Sequence, residues 1–190
     1  MAKRPVIRTF TGKELNPLDI QPEDIDIIDI AHALSCVPRF AGHTRRPIYI
    51  AQHCVYVAKL CQYIAYPVPL KALLHDAAEA YLGDMTKWLK ESPEMLPYRE
   101  AERRAQDAID TYFRVPTGGH KTIEWADRVM VRFEGRHHFG FGSSFAIDHP
   151  NYPPLTEDEL LAVGDWYPWS PMKAEIEFLD LFTKLRRYTS

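Results

Sequence analysis

The stretch "ALLHDAAEAYLGD", Ala72 to Asp84, sets a histidine beside an aspartate, with a glutamate three residues on, in an otherwise apolar run. Small and aliphatic residues at this density predict a helix from about Leu70 to Tyr81, stopped by Gly83 just past its C-terminus. At about 100° per residue, with His75 as zero, Glu79 falls at about 40° and Asp76 at about 100° on the helical wheel. The rest of the circumference carries Leu73, Leu74, Ala77, Ala78, Ala80 and Leu82, so the helix is expected to be buried nearly all round, with one polar wedge inside the protein. Two buried carboxylates beside an imidazole require a cation or a tight hydrogen-bond network, because an unpaired buried carboxylate costs several kcal/mol.

Working outward, the preceding helix is expected over Ile48 to Ala65, where Ile50, Cys54, Val57, Cys61 and Ile64 recur at helical spacing until "YPVP" breaks it. His53 falls within that apolar arc and is expected to point into the core. Downstream, a short segment from Met85 ends before Pro93, and a long helix runs from about Pro97 to Phe113. "KTIEWADRVMVRFEG" forms the next helix, to Gly135, with Asp127 on a stripe shared with Ile123, Met130 and Val131. Residues 136–155 are rich in Gly, Ser, Pro and aromatics and read as an irregular loop. Helices at about Glu157–Val163 and Pro171–Arg187 close the chain.

At the other end, residues 1–22 read as a small hairpin or irregular arm, broken by Gly12, Pro17 and Pro22. "PEDIDIIDIAHALS" then forms a first helix with Ile25, Ile28 and Ala31 or His32 on one face. With no repeats and no composition break, the 190 residues are expected to form a single all-α domain.

Composition narrows the function classes. The net charge of -3 comes from interspersed signs, which argues against nucleic acid or an anionic membrane as the main partner. The three cysteines, Cys36, Cys54 and Cys61, form no CxxC, so neither a disulfide framework nor a Cys-based zinc site is expected. No apolar run approaches the length needed to span a bilayer, and "MAKRPVIRTF" lacks a secretory h-region, so a cytoplasmic protein is expected.

His53, His75, Asp76 and Asp127 therefore make a two-His, two-carboxylate set on three inward helix faces, a combination suited to a divalent transition ion. A lone His on an apolar stripe is ordinarily a hydrogen-bonded core residue, and Asp127 alone would pass for a cap or a partner of Arg128. The conjunction of four reverses that reading.

H…HD…D at these spacings resembles the HD-domain metal-dependent phosphohydrolases. "RFAGHT" ahead of "AQH", "LLHDAAEAYLGD" and "EWADR" resemble the branch containing bacterial 5′-deoxynucleotidases and phage deoxynucleotide (dATP-type) phosphohydrolases, and the likeness runs over nearly the whole chain. The resemblance implies an HD-domain helical bundle in which His53, His75, Asp76 and Asp127 bind a divalent ion (Co, Mn, Zn, Mg or Fe). It implies that Glu79 orients the metal-bound water or acts as general acid or base, and that Asp84 assists. Arg39 matches the family's phosphate-contacting arginine, and Phe40 stands where an aromatic, Trp in relatives, packs on the sugar. His43, Arg45 and Lys87 are further phosphate candidates. Relatives are often dimers or larger, so a homo-oligomer is expected.

The activity these matches imply is cleavage of 5′-phosphates from deoxynucleotides, foremost as a dNMP 5′-nucleotidase. The same motifs serve a dNTP phosphohydrolase or triphosphohydrolase. A di-iron oxygenase of the same fold needs further core histidines, and His137 and His138 lie in the wrong region for them. A non-catalytic nucleotide sensor would not require Glu79 and Arg39 beside an intact ligand set.

Overall fold

Nine consecutive residues of one helix, Ile50 to Ala58, are buried, and the rest of the protein is arranged around them. The computed structural model describes residues 6–138 and 156–187. In chain order its elements are strands β1 (Ile7–Arg8) and β2 (Glu14–Leu15), then helices α1 (Ile27–Cys36), α2 (Ile50–Leu60), α3 (Val68–Leu73) and α4 (Glu79–Leu82). There follow α5 (Lys87–Lys90), α6 (Leu96–Phe113), α7 (Lys121–His138), α8 (Glu157–Val163) and α9 (Pro171–Arg186), with single 3-10 turns at Pro22–Asp24, Phe40–Gly42 and Pro93–Met95. The described protein is thus mostly helical, with one antiparallel hairpin pairing Ile7 with Leu15 and Arg8 with Glu14. The all-α class and the small N-terminal hairpin match expectation.

Helix α2 carries no charged side chain before Lys59, so it can accept neighbours on every side, and α1, α3, α7, α8 and α9 all pack against it. Its two buried polar residues are adjacent. Gln52 is satisfied at both ends, donating to Tyr167 O at 2.8 Å and accepting from Trp169 N at 2.9 Å, and so it pins the segment leading into α9. His53 faces the other way, into the site described below.

Helix ends follow local chemistry. Asp26 caps α1 by accepting from Ile28 N, and Ser170 caps α9 by accepting from Lys173 N, with Pro171 at the first helical position. Thr156 and Glu159 form a reciprocal capping box at α8. Because α1 starts only at Ile27, Ile25 lies outside it, though buried; within the helix Ile30, Ala31 and Leu34 are buried, whereas Ile28 of the expected face is exposed. Helix α2 is shorter than the expected 48–65: it ends at Leu60, where Cys61 N bonds back to both Val57 O and Ala58 O. Helix α7 runs on through His138, so residues 136–138 are helical and not part of a loop; the remainder of that expected loop lies outside the described residues, as do residues 1–5 of the expected arm.

The decisive departure is in the opening stretch. The expected continuous helix over 70–81 is two short helices, α3 and α4, joined by turns over residues 74–78. The turns are of 3-10 type: Ala77 N reaches Leu74 O, Glu79 N reaches Asp76 O, Ala80 N reaches Ala77 O and Tyr81 N reaches Ala78 O, at 3.0–3.2 Å. Side chains three residues apart eclipse in such turns, so Asp76 and Glu79 share one edge instead of spreading across a wedge. The cause is tertiary. From α6, Gln106 donates to Leu74 O at 2.8 Å and accepts from Ala78 N at 3.2 Å, supplying partners that a helix would have kept internal. Buried Lys71 of α3 pairs with buried Asp110 of α6, fixing the same interface.

Candidate metal centre

The site forms where α2, the 74–78 turns and α7 meet. His53 comes from the middle of α2, His75 and Asp76 from the turns, and Asp127 from the inward stripe of α7 that also buries Ile123 and Met130. The two imidazole rings lie 5.3 Å apart between centroids. The side chains grade in exposure from His53 at 0%, through His75 at 12% and Asp76 at 24%, to Asp127 at 38%.

The hydrogen bonds fix which ring nitrogens face inward. His53 Nδ1 lies 3.1 Å from Glu134 Oε1, and His75 Nδ1 lies 2.8 Å from Ala72 O. An ionised carboxylate and a carbonyl only accept, so each Nδ1 must donate, and in the neutral ring Nε2 is left with its lone pair. Both Nε2 atoms are buried and make no hydrogen bond. His53 Nε2 stands 3.1 Å from Asp127 Oδ1 and 3.9 Å from Asp76 Oδ2, and His75 Nε2 stands 3.2 Å from Asp76 Oδ2. These are close approaches without hydrogen-bond alignment. Two orphaned imidazole nitrogens converging with two carboxylates fit a divalent transition ion, and the ligand atoms of His53, His75 and Asp127 all fall within 4.8 Å of one another.

Electrostatics point the same way. Burial opposes ionisation of Asp76, but His75, His53 and Arg39 outweigh it and hold the carboxylate well below its ordinary range. Asp127 is likewise lowered, burial being outweighed by His53 and His75. Burial disfavours charge on both imidazoles, yet Asp76 holds His75 well above its ordinary value, and Glu134 and Asp127 raise His53 against burial and Arg39. Carboxylates that favour a proton on these rings favour any cation placed among them.

Glu79 lies beside this set, 6% exposed, with Oε2 unpartnered and Oε1 3.5 Å from Lys90 Nζ. Burial, reinforced by the Asp76 and Asp84 charges, pushes its carboxyl well above the ordinary range; Lys90 and Arg39 pull the other way. Half-buried Asp84 follows Gly83, whose positive φ of 79° turns the chain out of α4, and burial raises its carboxyl too. A cleft of about 340 Å³ opens from His75, Asp76, Glu79 and Asp127 toward α6 and the turn at Gly118 and Gly119.

Arg39 approaches from the opposite side. It is 9% exposed, its Nε donates to Glu134 Oε2 at 3.0 Å, and one terminal nitrogen stands 3.5 Å from Asp76 Oδ2. Phe40 follows it in a left-handed conformation, φ 56°, with Ala41 at 50° and Gly42 at 76°. Such non-glycine strain is sparse in proteins and clusters at functional loops. The Arg39 guanidinium carbon lies 5.5 Å from the Phe40 ring centroid. His43 and Arg45 are exposed on the loop that follows, and Lys87 is exposed on α5 with Glu91 3.8 Å away. None of these three lines the cleft, and neither do Arg39, Phe40 or Asp84; of these, Arg39 joins the centre through its contacts with Glu134 and Asp76. The structure thus gathers His53, His75, Asp76, Asp127, Glu79 and Arg39, and leaves the other phosphate candidates at the periphery.

Three participants escaped the sequence reading. Glu134 is 0% exposed and holds both His53 and Arg39; its signal was present, since it lies seven residues after Asp127 on the same inward stripe of α7. Lys90 touches Glu79 across a turn that no periodicity connects. Cys54 is buried with its sulfur near His75 and Asp76, and its place beside His53 in α2 read simply as core.

No protein-family model matches the chain. It is 35% identical over 181 residues to the uncharacterized protein YfdR of Escherichia coli (strain K12), a match covering 94% of each chain. It is also 34% identical over 154 residues to an uncharacterized protein of Rhodobacter capsulatus, covering 76% of this chain and 78% of that one. Identity of that level along almost its full length places this chain in the family of Escherichia coli YfdR.

Proposed function

We propose that this protein is a divalent-metal-dependent phosphohydrolase that removes the 5′-phosphate of deoxynucleotides, acting foremost on monophosphates. The observation that carries this reading is the pair of buried Nε2 atoms, on His53 and His75, left without hydrogen bonds and facing Asp76 and Asp127. The motif resemblance to HD-domain phosphohydrolases supports the same assignment.

In this reading His53, His75, Asp76 and Asp127 hold the ion. When bound, a divalent ion acidifies water toward neutral pH and neutralises phosphate charge. Arg39 binds phosphate oxygens with the part of its guanidinium that Glu134 leaves unused, and stabilises charge developing on them. Glu79, buried and raised above the ordinary carboxylate range, exchanges a proton with the attacking water or the leaving 5′-oxygen through Oε2. Phe40 packs against the sugar. The motif resemblance puts the monoester foremost, and the Lys and Arg side chains that line the cleft are each engaged within the protein. Lys90 pairs with Glu102, Arg103 with Asp107 and Lys71 with Asp110, while Arg99 binds the carbonyls of Lys90 and Ser92.

The test is to measure bound metal and to incubate the protein with dNMPs, dNTPs and NMPs in the presence of Mn²⁺, Co²⁺ or Zn²⁺. Release of inorganic phosphate from dNMPs is expected, with His75→Ala and Asp76→Ala losing metal and activity together. Wild-type turnover in either variant would sink the assignment, and tripolyphosphate release from dNTPs would select the alternative substrate.

A further inference from the structure

Glu134 is buried completely, yet its two oxygens serve two different functional groups: Oε1 takes the Nδ1 proton of His53 and Oε2 takes the Nε proton of Arg39. We propose that Glu134 is a shared positioning residue, a single carboxylate that sets the tautomer of a metal ligand and the aim of the phosphate-binding arginine at once. The inference rests on the metal-centre reading above.

The chemistry of the bridge is specific to a carboxylate. Both partners present N–H donors, and an ionised carboxylate offers an acceptor to each. An amide of the same shape offers one acceptor and one donor group. In Glu134→Gln, therefore, one partner must change. If the carbonyl oxygen serves Arg39, the amide nitrogen faces His53, whose ring can accept at Nδ1 only by carrying its proton on Nε2, where the ion should bind. If the oxygen serves His53, the amide nitrogen confronts Arg39 Nε and the guanidinium swings from its place 3.5 Å from Asp76. Either outcome also removes one of the two carboxylates that face the buried Arg39 guanidinium, leaving Asp76 at 3.5 Å. Metal ligands are usually oriented by such an outer carboxylate, whose loss costs about 10–100-fold in affinity; here the same group also governs the anion side.

The experiment uses the full chain with Mn²⁺ and inorganic phosphate as probes. Mn²⁺ affinity is read from the free-ion paramagnetic signal, phosphate affinity by calorimetry at saturating Mn²⁺, and the His53 tautomer from ring ¹⁵N shifts. Glu134→Gln is expected to bind Mn²⁺ about 10–100-fold more weakly, to bind phosphate about tenfold more weakly, and to show Nε2–H character at His53. Arg39→Lys should lose phosphate affinity while keeping Mn²⁺ affinity within a few-fold of wild type. If Glu134→Gln does not fold, Glu134→Asp keeps two acceptors one methylene further back and should weaken both affinities to a smaller degree. A Glu134 variant that folds and retains wild-type affinity for either probe overturns the proposal. Wild-type protein that binds Mn²⁺ but hydrolyses no nucleotide overturns the enzyme reading alone, and wild-type protein that binds no Mn²⁺ overturns both.

Discussion

Lys90 Nζ stands 3.5 Å from Glu79 Oε1 and 2.6 Å from Glu102 Oε1, so the cation is shared between one acid beside the candidate metal centre and one on α6. This arrangement leaves Glu79 anchored by one oxygen, with the other buried and unpaired.

Lys90→Met should shift the pH dependence of catalysis. Burial is the main force raising the Glu79 carboxyl, and Lys90 opposes it. Without that cation Glu79 binds its proton more tightly, so the ionised form appears only at higher pH. If Glu79 works as a base, the acid limb of kcat/KM for a dNMP moves to higher pH, as a pH–rate profile will show; an unmoved limb assigns that titration to another group.

Gln106→Leu should damage the site from a distance. The substitution leaves Ala78 N without its partner and removes a donor from Leu74 O. A loss of about 1–3 kcal/mol is expected for orphaned buried polar groups, which thermal melting reads as about 2–4 °C per kcal/mol in a chain this size. Mn²⁺ affinity should fall with it, because the loosened turns carry His75 and Asp76.

Gln52→Leu separates stability from chemistry. It removes the bonds to Tyr167 O and Trp169 N, at a similar cost of about 1–3 kcal/mol. Mn²⁺ binding should be unchanged, even though Gln52 adjoins His53 in sequence, because the two side chains serve different neighbours. Loss of metal in this variant would mean that the segment before α9 supports the centre.

Lys71→Met should be the most destabilising of these changes. It strands the buried Asp110 carboxylate with Gln106 as its remaining side-chain partner among the described residues, costing about 3–5 kcal/mol. Adding Asp110→Leu should recover most of that loss in chemical denaturation, since a matched apolar pair replaces a buried ion pair at little net cost.

Much of this architecture could be read from the residue pattern. The apolar arcs of α2 and α7 announced their buried faces, and α8 and α9 begin at Glu157 and Pro171 as expected. His53, His75, Asp76 and Asp127 were legible because each sits where an apolar residue belongs. The break at 74–78 was not, because Leu and Ala are strong helix formers and the force opposing them is the Gln106 side chain, which lies about thirty residues away and looks like any polar residue on an amphipathic helix. Glu134 was legible from its seven-residue spacing to Asp127 but was passed over, because a glutamate in "RFEGR" reads first as a solvated charge.

The exposure gradient across the four candidate ligands bears on the order of events. His53 is walled in and Asp127 stands at the rim, and among the described residues the cleft reaches the centre on the side of His75, Asp76 and Asp127. An ion and water entering by that cleft would meet the two carboxylates first. A phosphate held against that rim would stand over the deeper imidazoles, so the ion is expected to arrive before it. Kinetically, such a protein would show ordered addition, and nucleotide present before the metal would slow its loading.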